Sequence, residues 1–363
     1  MRGLLTAVMI GLAALTASPA AAQITVTDLR GRQVSLPEPA RRIVLSEGRH
    51  MTVLGMLHDD PVALVAGWRL DKSLDQATMD AYRARFPAID AIASVGSGNR
   101  DISVEAVIAL DPDLVMFSLM DAGDPGMERA LTSLEAVGIP VVYVDFFAQP
   151  LENSLPSLRL IGDLTGARDR AEDFAAFYTE RLDRIRDRLA DAAPARPSVF
   201  LHAHAAPSGC CATVGEGVFN DFLTEAGARN IALDAAQGVM ANVSLEYLIS
   251  AAPDFYVATG GTHMAARGGL VLGSGVTEPQ AQASFAALLR GRGIGSLGAV
   301  EAGRAAGIWH LFNDSPSHIA LIEYLAQMFH PDLFADLDPS GTMAAIERDF
   351  SPVEVPGTWW VRP

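Results

Sequence analysis

Between Gly166 and Ala193, the apolar residues Phe174, Phe177, Tyr178, Leu182, Ile185 and Leu189 recur at steps of three and four. That spacing lines them along one stripe of an α-helix. The other faces are densely charged, from Arg168-Asp169-Arg170 to Arg186-Asp187-Arg188. Gly166 breaks the helical stretch before it, and Pro194 with Pro197 stops this one. At 1.5 Å per residue it spans roughly 40 Å. So long and polar a helix predicts a strut between two bodies rather than a core element.

The chain on both sides of the strut alternates between short apolar runs and helical periods. Ile24 to Pro37 alternates apolar and polar residues around Arg30-Gly31-Arg32, which predicts a small β-hairpin. Ile43-Val44-Leu45 reads as a buried first strand, followed by strands at 62–66, 93–95, 114–117 and 141–145. Helices are expected near 51–57, 73–86, 103–110 and 127–137. Beyond the strut, strands are expected at 198–202, 255–259 and 308–312, with helices near 218–226, 244–251, 281–290 and 316–329. Strands that alternate with helices predict a parallel, doubly wound sheet. The tail from His330 carries one helix near 341–349 and a Trp359-Trp360 pair, which is expected to staple the tail onto the body.

One unit occurs twice. Ser103-Val-Glu-Ala-Val-Ile-Ala-Leu-Asp-Pro-Asp-Leu-Val-Met-Phe117 matches Ser244-Leu-Glu-Tyr-Leu-Ile-Ser-Ala-Ala-Pro-Asp-Phe-Tyr-Val-Ala258 at Ser103/Ser244, Glu105/Glu246, Pro112/Pro253 and Asp113/Asp254. Each copy reads as an N-cap serine, a short amphipathic helix, a Pro-Asp turn and a buried strand. A unit used once on each side of a linker helix predicts two similar α/β lobes.

The first 22 residues have the form of a secretory signal. Arg2 gives the charged start, Leu4 to Leu15 an apolar run too short for a membrane span, and Ala20-Ala21-Ala22 a small-residue cleavage site. Gln23 is then the mature N-terminus. No cysteine sits at the cleavage point, so no lipid anchor is expected and the protein is expected in a bacterial periplasm. The formal net charge of −16 argues against nucleic acid and anionic lipid as partners. It leaves a local cationic ligand site open.

Val26-Thr-Asp-Leu-Arg-Gly-Arg-Gln-Val-Ser-Leu-Pro37 with Arg42-Ile-Val44, Glu105 to Val115, Ala226-Gly-Ala-Arg-Asn-Ile231 and Ser244-Leu-Glu246 to Pro253-Asp254, in that order, resemble the iron-complex periplasmic binding proteins. These are the substrate-binding components of ABC importers for ferric siderophores, haem and cobalamin. The resemblance runs over nearly the whole mature chain. It implies the helical-backbone periplasmic binding protein fold: two Rossmann-like lobes joined by a long rigid linker helix, ligand between them, and small lobe movement. The expected division is a signal peptide over 1–22, an N-terminal lobe over 23–165, the linker helix over 166–193 and a C-terminal lobe with its tail over 194–363. The family carries one acid per lobe that meets arginines of the permease dimer, and the matching positions are Glu105 and Glu246. Each also sits two residues after an N-cap serine, where a negative charge suits the helix dipole.

Ligands of open α/β sheets bind beyond the carboxyl ends of the strands. That rule selects Arg49, His50, Trp68, Arg69, Arg100, Phe146 and Phe147 in the first lobe, and His202, His204, Arg267 and Trp309 in the second. Arginine offers planar donors to carboxylate or catecholate oxygens, and aromatic rings offer stacking area, so the set fits an anionic iron chelate. Each residue also has a plainer role. Arg49 has Glu47 nearby for an ion pair, His50 is placed to cap the following helix, and Arg267 sits in a Gly-rich loop open to solvent. Trp68-Arg69 is the stronger pair, because neither is expected to serve a core. His202 and His204 alternate, so at most one is expected to meet ligand, and His310 reads as a satisfied buried histidine.

Cys210 and Cys211 are adjacent and are the only cysteines. In an oxidising compartment they form a candidate vicinal disulfide, with free thiols or an intermolecular bond as alternatives. No G-x-S-x-G, H-E-x-x-H or phosphate-loop motif occurs. The expectation is therefore not an enzyme but a monomeric binding protein without a cofactor and without a directly held metal. It captures an iron chelate, a ferric siderophore foremost, and hands it to an inner-membrane permease. Haem or cobalamin is the alternative: haem needs an axial His or Tyr, for which His50, His202, His204 and His263 are available. A bare-metal binder needs three or four converging ligands and is the weaker reading.

Overall fold

The computed structural model describes residues 23–70, 72–96, 101–207, 210–235, 238–291 and 293–363. The expected signal peptide and Arg100 lie outside them.

The hairpin forms from β1 (Ile24–Thr27) and β2 (Gln33–Leu36). The first lobe follows with β3 (Ile43–Leu45), α1 (His50–Leu57), β4 (Val65–Arg69), α2 (Gln76–Arg85), β5 (Ala93–Gly96), α3 (Val104–Ala109), β6 (Leu114–Ser118), α4 (Pro125–Ala136) and β7 (Val141–Val144). Its sheet is wholly parallel in the order β5-β4-β3-β6-β7. The chain moves outward from β3 and then returns to β6, so the switch point lies between β3 and β6.

Two helices come next, α5 (Pro150–Thr165) and α6 (Arg168–Ala192), separated by Gly166 in the left-handed region at φ 75°. The second lobe contains β8 (Ser198–His202), β9 (Ala212–Val214), α7 (Val218–Glu225), β10 (Arg229–Asn230), β11 (Met240–Asn242), α8 (Leu245–Ala251), β12 (Phe255–Gly260), β13 (Gly273–Ser274), α9 (Glu278–Leu289), α10 (Gly298–Glu301), β14 (Ala305–Trp309), α11 (His318–Phe329), α12 (Pro339–Phe350), β15 (Gly357–Thr358) and β16 (Trp360–Val361). Its sheet runs β11-β9-β8-β12-β14-β16, with β10 also on β8. The central β8, β12 and β14 are parallel. The tail closes the far edge, where β16 pairs with β14 and Trp360 stacks on Tyr324 at 4.8 Å.

Three expectations change. The long helix is not a free-standing strut. Phe174, Tyr178, Leu182 and Ile185 are buried in one core cluster that draws on both lobes. Tyr178 bonds His318 of α11 at 2.7 Å, and Arg170 donates to the Met56 carbonyl of α1 at 2.8 Å. The apolar stripe is a wall of the core, and only the polar faces are open. Second, Val62–Leu64 is a single 3-10 turn started by Pro61, so the strand begins later and takes in Trp68 and Arg69. Third, the strand expected at 308–312 is Ala305–Trp309, and His310–Asp314 is a 3-10 turn leaving it.

The sequence repeat is also a structural one. Ser103 and Ser244 accept from the backbone N–H three residues on, capping α3 and α8. Asp113 accepts from the Arg42 N–H at 2.9 Å beside β3, and Asp254 from the Ser198 N–H at 2.8 Å opening β8. The turn residues Asp111 and Ala252 both take positive φ, 46° and 42°.

Candidate functional site

The carboxyl ends of the two parallel sheets face one seam, and the chemistry there differs by lobe. On the first lobe a network of charges fills the switch point. Ser46, just after β3, donates to Asp121 at 2.7 Å and accepts from the Ser118 N–H at 3.0 Å, tying β3 to β6. Asp121 pairs at 3.1 Å with Arg69, and both are almost wholly buried. Glu47, with no exposed side-chain surface, meets Arg49 at 3.0 Å and Lys72 at 3.2 Å. Arg49 also reaches across the seam to Asp314 of the second lobe at 2.6 Å. Burial opposes the charge on Glu47, but His50, Arg49 and Lys72 outweigh it and hold the carboxyl at about 2. Burial, followed by the charge of Glu47, pushes Asp314 well above the usual carboxylate range. Among the described residues three cations thus face three carboxyls, and at most one positive charge remains among them where Asp314 keeps its proton.

The second lobe presents imidazoles. His204 follows β8, His263 lies on the 3-10 turn Thr262–Arg267 after β12, and His310 leaves β14. These are three neighbouring strands, so their ends converge. The ring of His204 lies 3.9 Å from that of His310 and 5.1 Å from that of His263, centroid to centroid. His204 Nδ1 and His263 Nε2 share a hydrogen bond of 3.0 Å, and His310 Nδ1 meets the Thr259 hydroxyl at 2.9 Å. His204 is held in the left-handed region at φ 48°, and its N–H donates to Thr259. Non-glycine residues held there gather at functional sites. Burial lowers all three ring pKa values, and the neighbouring charges add to the effect through Arg267 at His204 and His263 and Arg49 at His310. Burial thus favours the neutral form of all three rings, although the bond shared by His204 and His263 occupies one ring lone pair and Asn313 Nδ2 lies 3.4 Å from His310 Nε2.

Several residues selected from sequence serve the interior instead. Trp68 is 4% exposed and Arg69 0%, because both lie inside β4; the premise that no core needs them fails. His50 is buried edge-on to Phe146 at 5.6 Å, and Phe146 is itself core. Phe147 is half-buried under the Lys72 ammonium at 5.5 Å. His202 faces inward, bonded to the Tyr256 hydroxyl at 2.7 Å, and burial holds it at about 4. Of the alternating pair, His204 is the one at the seam. Arg267 is exposed and, among the described residues, makes no ion pair. Trp309 is half-buried against Trp359 at 4.9 Å and lines a cavity of about 140 Å³ between the lobes, shared with Arg49, Asp314, Tyr82 and Phe350. Cys210 and Cys211 are bonded to each other on the loop that also carries His204.

Sequence reasoning did not select Glu47, Lys72, Asp121, Asp314 or His310 for the site, although Glu47 and His310 stand beside residues that it did select. Among the described residues, no group of three or more His, Cys, Asp or Glu is arranged to hold a metal ion. No helix among them is long and apolar enough to cross a membrane. Glu105 and Glu246 are exposed on α3 and α8, away from these networks.

Two α/β lobes bridged by a packed helix, with their strand ends facing a common seam, define a solute-binding protein of the kind that serves ABC importers. The chain belongs to the periplasmic binding protein family, whose model matches residues 44–304. A TroA-like periplasmic binding protein, FepB, from Veillonella parvula is 28% identical and superposes with a TM-score of 0.86 over 93% of this chain and 99% of that one. An uncharacterized ABC transporter substrate-binding lipoprotein, YvrC, of Bacillus subtilis is 25% identical over 66% of this chain and 69% of its own length. A cobalamin-binding protein of Halobacterium salinarum is 28% identical over 54% of this chain; the match spans about half of that protein, 52%. These are relatives of substrate-binding proteins, not of enzymes. The family is extracytoplasmic and works with a cognate ABC permease.

Proposed function

We propose that the chain is a periplasmic carrier, exported by its first 22 residues and acting as a monomer, that captures a metal chelate at the seam. It then hands the chelate to a permease dimer through Glu105 and Glu246. An iron chelate of the ferric siderophore type is the reading that the cleft arginines suggest. The near-cancellation of Arg49, Arg69 and Lys72 by Glu47, Asp121 and Asp314 weakens it, since a polyanion gains little from a network that has already met its own charges. The observation that carries the cargo assignment is the group of neutral imidazoles His204, His263 and His310. It favours a chelate whose metal still accepts a nitrogen ligand, a haem or a corrinoid, over a ferric siderophore whose iron is fully wrapped. Among the described residues no carboxylate acts on the three rings, so a bare divalent ion finds no charge compensation from them.

The test is a tryptophan-quenching titration of the mature protein against haemin, aquocobalamin, a ferric hydroxamate, a ferric catecholate and zinc, with the visible spectrum recorded. Saturable binding of haemin or aquocobalamin with a shifted metal band supports the reading. Tight binding of the catecholate alone returns the assignment to an anionic siderophore, and binding of zinc alone removes the chelate.

A further inference from the structure

The two copies of the repeat agree beyond the acids. Position by position, residues 103–110 and 244–251 have the same exposure: exposed, half-buried, exposed, half-buried, buried, exposed, exposed, half-buried. The buried member is Val107 in one copy and Leu248 in the other, and each packs under its helix. The next residue is an isoleucine in both, and both side chains stand in solvent: Ile108 is 40% exposed and Ile249 53%. Each isoleucine lies three residues after the acid, so Glu105 and Ile108 share one helix face, as do Glu246 and Ile249.

A single exposed apolar residue needs no explanation. Seven large apolar residues are exposed among the described residues: Leu70, Ile108, Val137, Leu233, Val239, Met240 and Ile249. Of these, only Ile108 and Ile249 occupy equivalent places in the two copies. Neither supports its own helix, because the core contact of each is made by its neighbour. A short helix loses nothing within the chain if the position is polar.

We infer that Ile108 and Ile249 are paired apolar anchors for the permease, each seated beside its acid. The partner is therefore a two-fold surface that offers the same chemistry twice, a cation for the glutamate and an apolar depression for the isoleucine. The inference rests on the carrier reading and adds to it. The acids supply steering and register, and the isoleucines supply the part of the affinity that salt does not screen.

The experiment measures binding of the full mature protein to the permease–ATPase complex of its own importer in lipid nanodiscs, at 50 and 500 mM salt. Ile108→Ser and Ile249→Ser are each expected to weaken docking about tenfold, and the double variant about a hundredfold, by the same factor at both salt concentrations. Glu105→Gln with Glu246→Gln is expected to weaken it mainly at low salt. Val137→Ser, equally exposed but outside the repeat, is expected to change nothing. Both isoleucines are exposed, so the serine variants keep their thermal midpoints. If the wild type docks and the glutamine variants weaken, but the serine variants dock as the wild type does, the inference fails while the carrier reading stands. If Val137→Ser weakens docking as much as the others, the isoleucines hold no special place and the inference fails too. If the wild type does not dock, the carrier reading fails and takes the inference with it.

Discussion

The two lobes share a unit but face each other with different chemistry. On the outside, α3 and α8 are near copies, with the same cap, acid, buried aliphatic and turn. At the seam, the first lobe offers Glu47, Arg49, Lys72, Arg69 and Asp121, and the second offers His204, His263 and His310. The likeness lies on the face suited to a partner with two-fold symmetry. The difference lies at the seam, where the proposed ligand would meet a charged face and an imidazole face. One duplicated scaffold thus separates the surface that must be repeated from the surface that must not.

The first lobe's charges are tied into its interior, and this gives the largest expected effect. Arg69 and Asp121 are both almost wholly buried, and replacing one member strands the other in low dielectric. Arg69→Met is expected to cost about 3–5 kcal/mol in urea unfolding. A loss below about 1 kcal/mol, within the range of an exposed ion pair, would instead mark the pair as expendable to the fold and restore Arg69 as a candidate ligand contact.

The second lobe is expected to respond to acid first. His202 and His318 are held at about 4 and about 3 by burial. A folded-state pKa below the unfolded 6.5 gives stability that is present above pH 6.5 and lost as pH falls through the folded value. For His202 alone the loss is about 3 kcal/mol between pH 6.5 and 4. His204, His263 and His310 add to it in the same direction, whereas the first lobe contributes only His50 and His58. Glu47, held at about 2, loses its contribution only from pH 4.5 downward. Asp314, raised, works in the opposite sense and loses stability as pH rises through its folded value. Hydrogen exchange at pH 5 should show β8 and β12 opening before β3 and β6. The reverse order would contradict this account of the burial.

A somewhat smaller effect separates the two faces as ligand contacts. Replacing His204 and His263 together by alanine is expected to weaken haemin or aquocobalamin binding roughly 100-fold and to abolish the shift of the metal band. Retained spectra with weakened binding would reduce the imidazoles to packing surface.

Much of this fold can be read from the chain, and the reasons mark where reading stops. Ile43-Val44-Leu45, Leu114 to Phe117 and Val141 to Val144 are continuous apolar runs, so their strands show in the sequence. The stripe from Phe174 to Ile185 shows the long helix for the same reason, but its charged faces hide how fully that stripe is covered. β14 begins with Ala305-Ala306-Gly307, small residues that carry no strand signature although the sheet centre demands them. At β4 the turn at Val62–Leu64 uses apolar residues, which moved the expected strand forward and left Trp68 and Arg69 outside it. The site was the least legible part. Arg49 with Asp314 and Arg69 with Asp121 are contacts between distant positions, and only the closed sheets bring them together.

That misplacement of β4 leads to the smallest expected effect and the sharpest check on which tryptophan sees the ligand. Trp68 is core, packed within β4, whereas Trp309 stands half-buried at the seam in contact with the cavity that Arg49 and Asp314 close. A haem or corrinoid quenches indoles by energy transfer over tens of ångströms, so the quench is weighted to the indoles nearest the ligand and is shared among all four tryptophans. Trp68→Phe is therefore expected to leave the affinity within about twofold, since a volume-conserving aromatic swap in a core costs little, and to leave most of the quench in place. Trp309→Phe should remove a larger share of the signal at unchanged protein stability. If Trp68→Phe erases the quench instead, the ligand approaches the first lobe at β4, and the contrast between a charged structural face and an imidazole binding face must be redrawn.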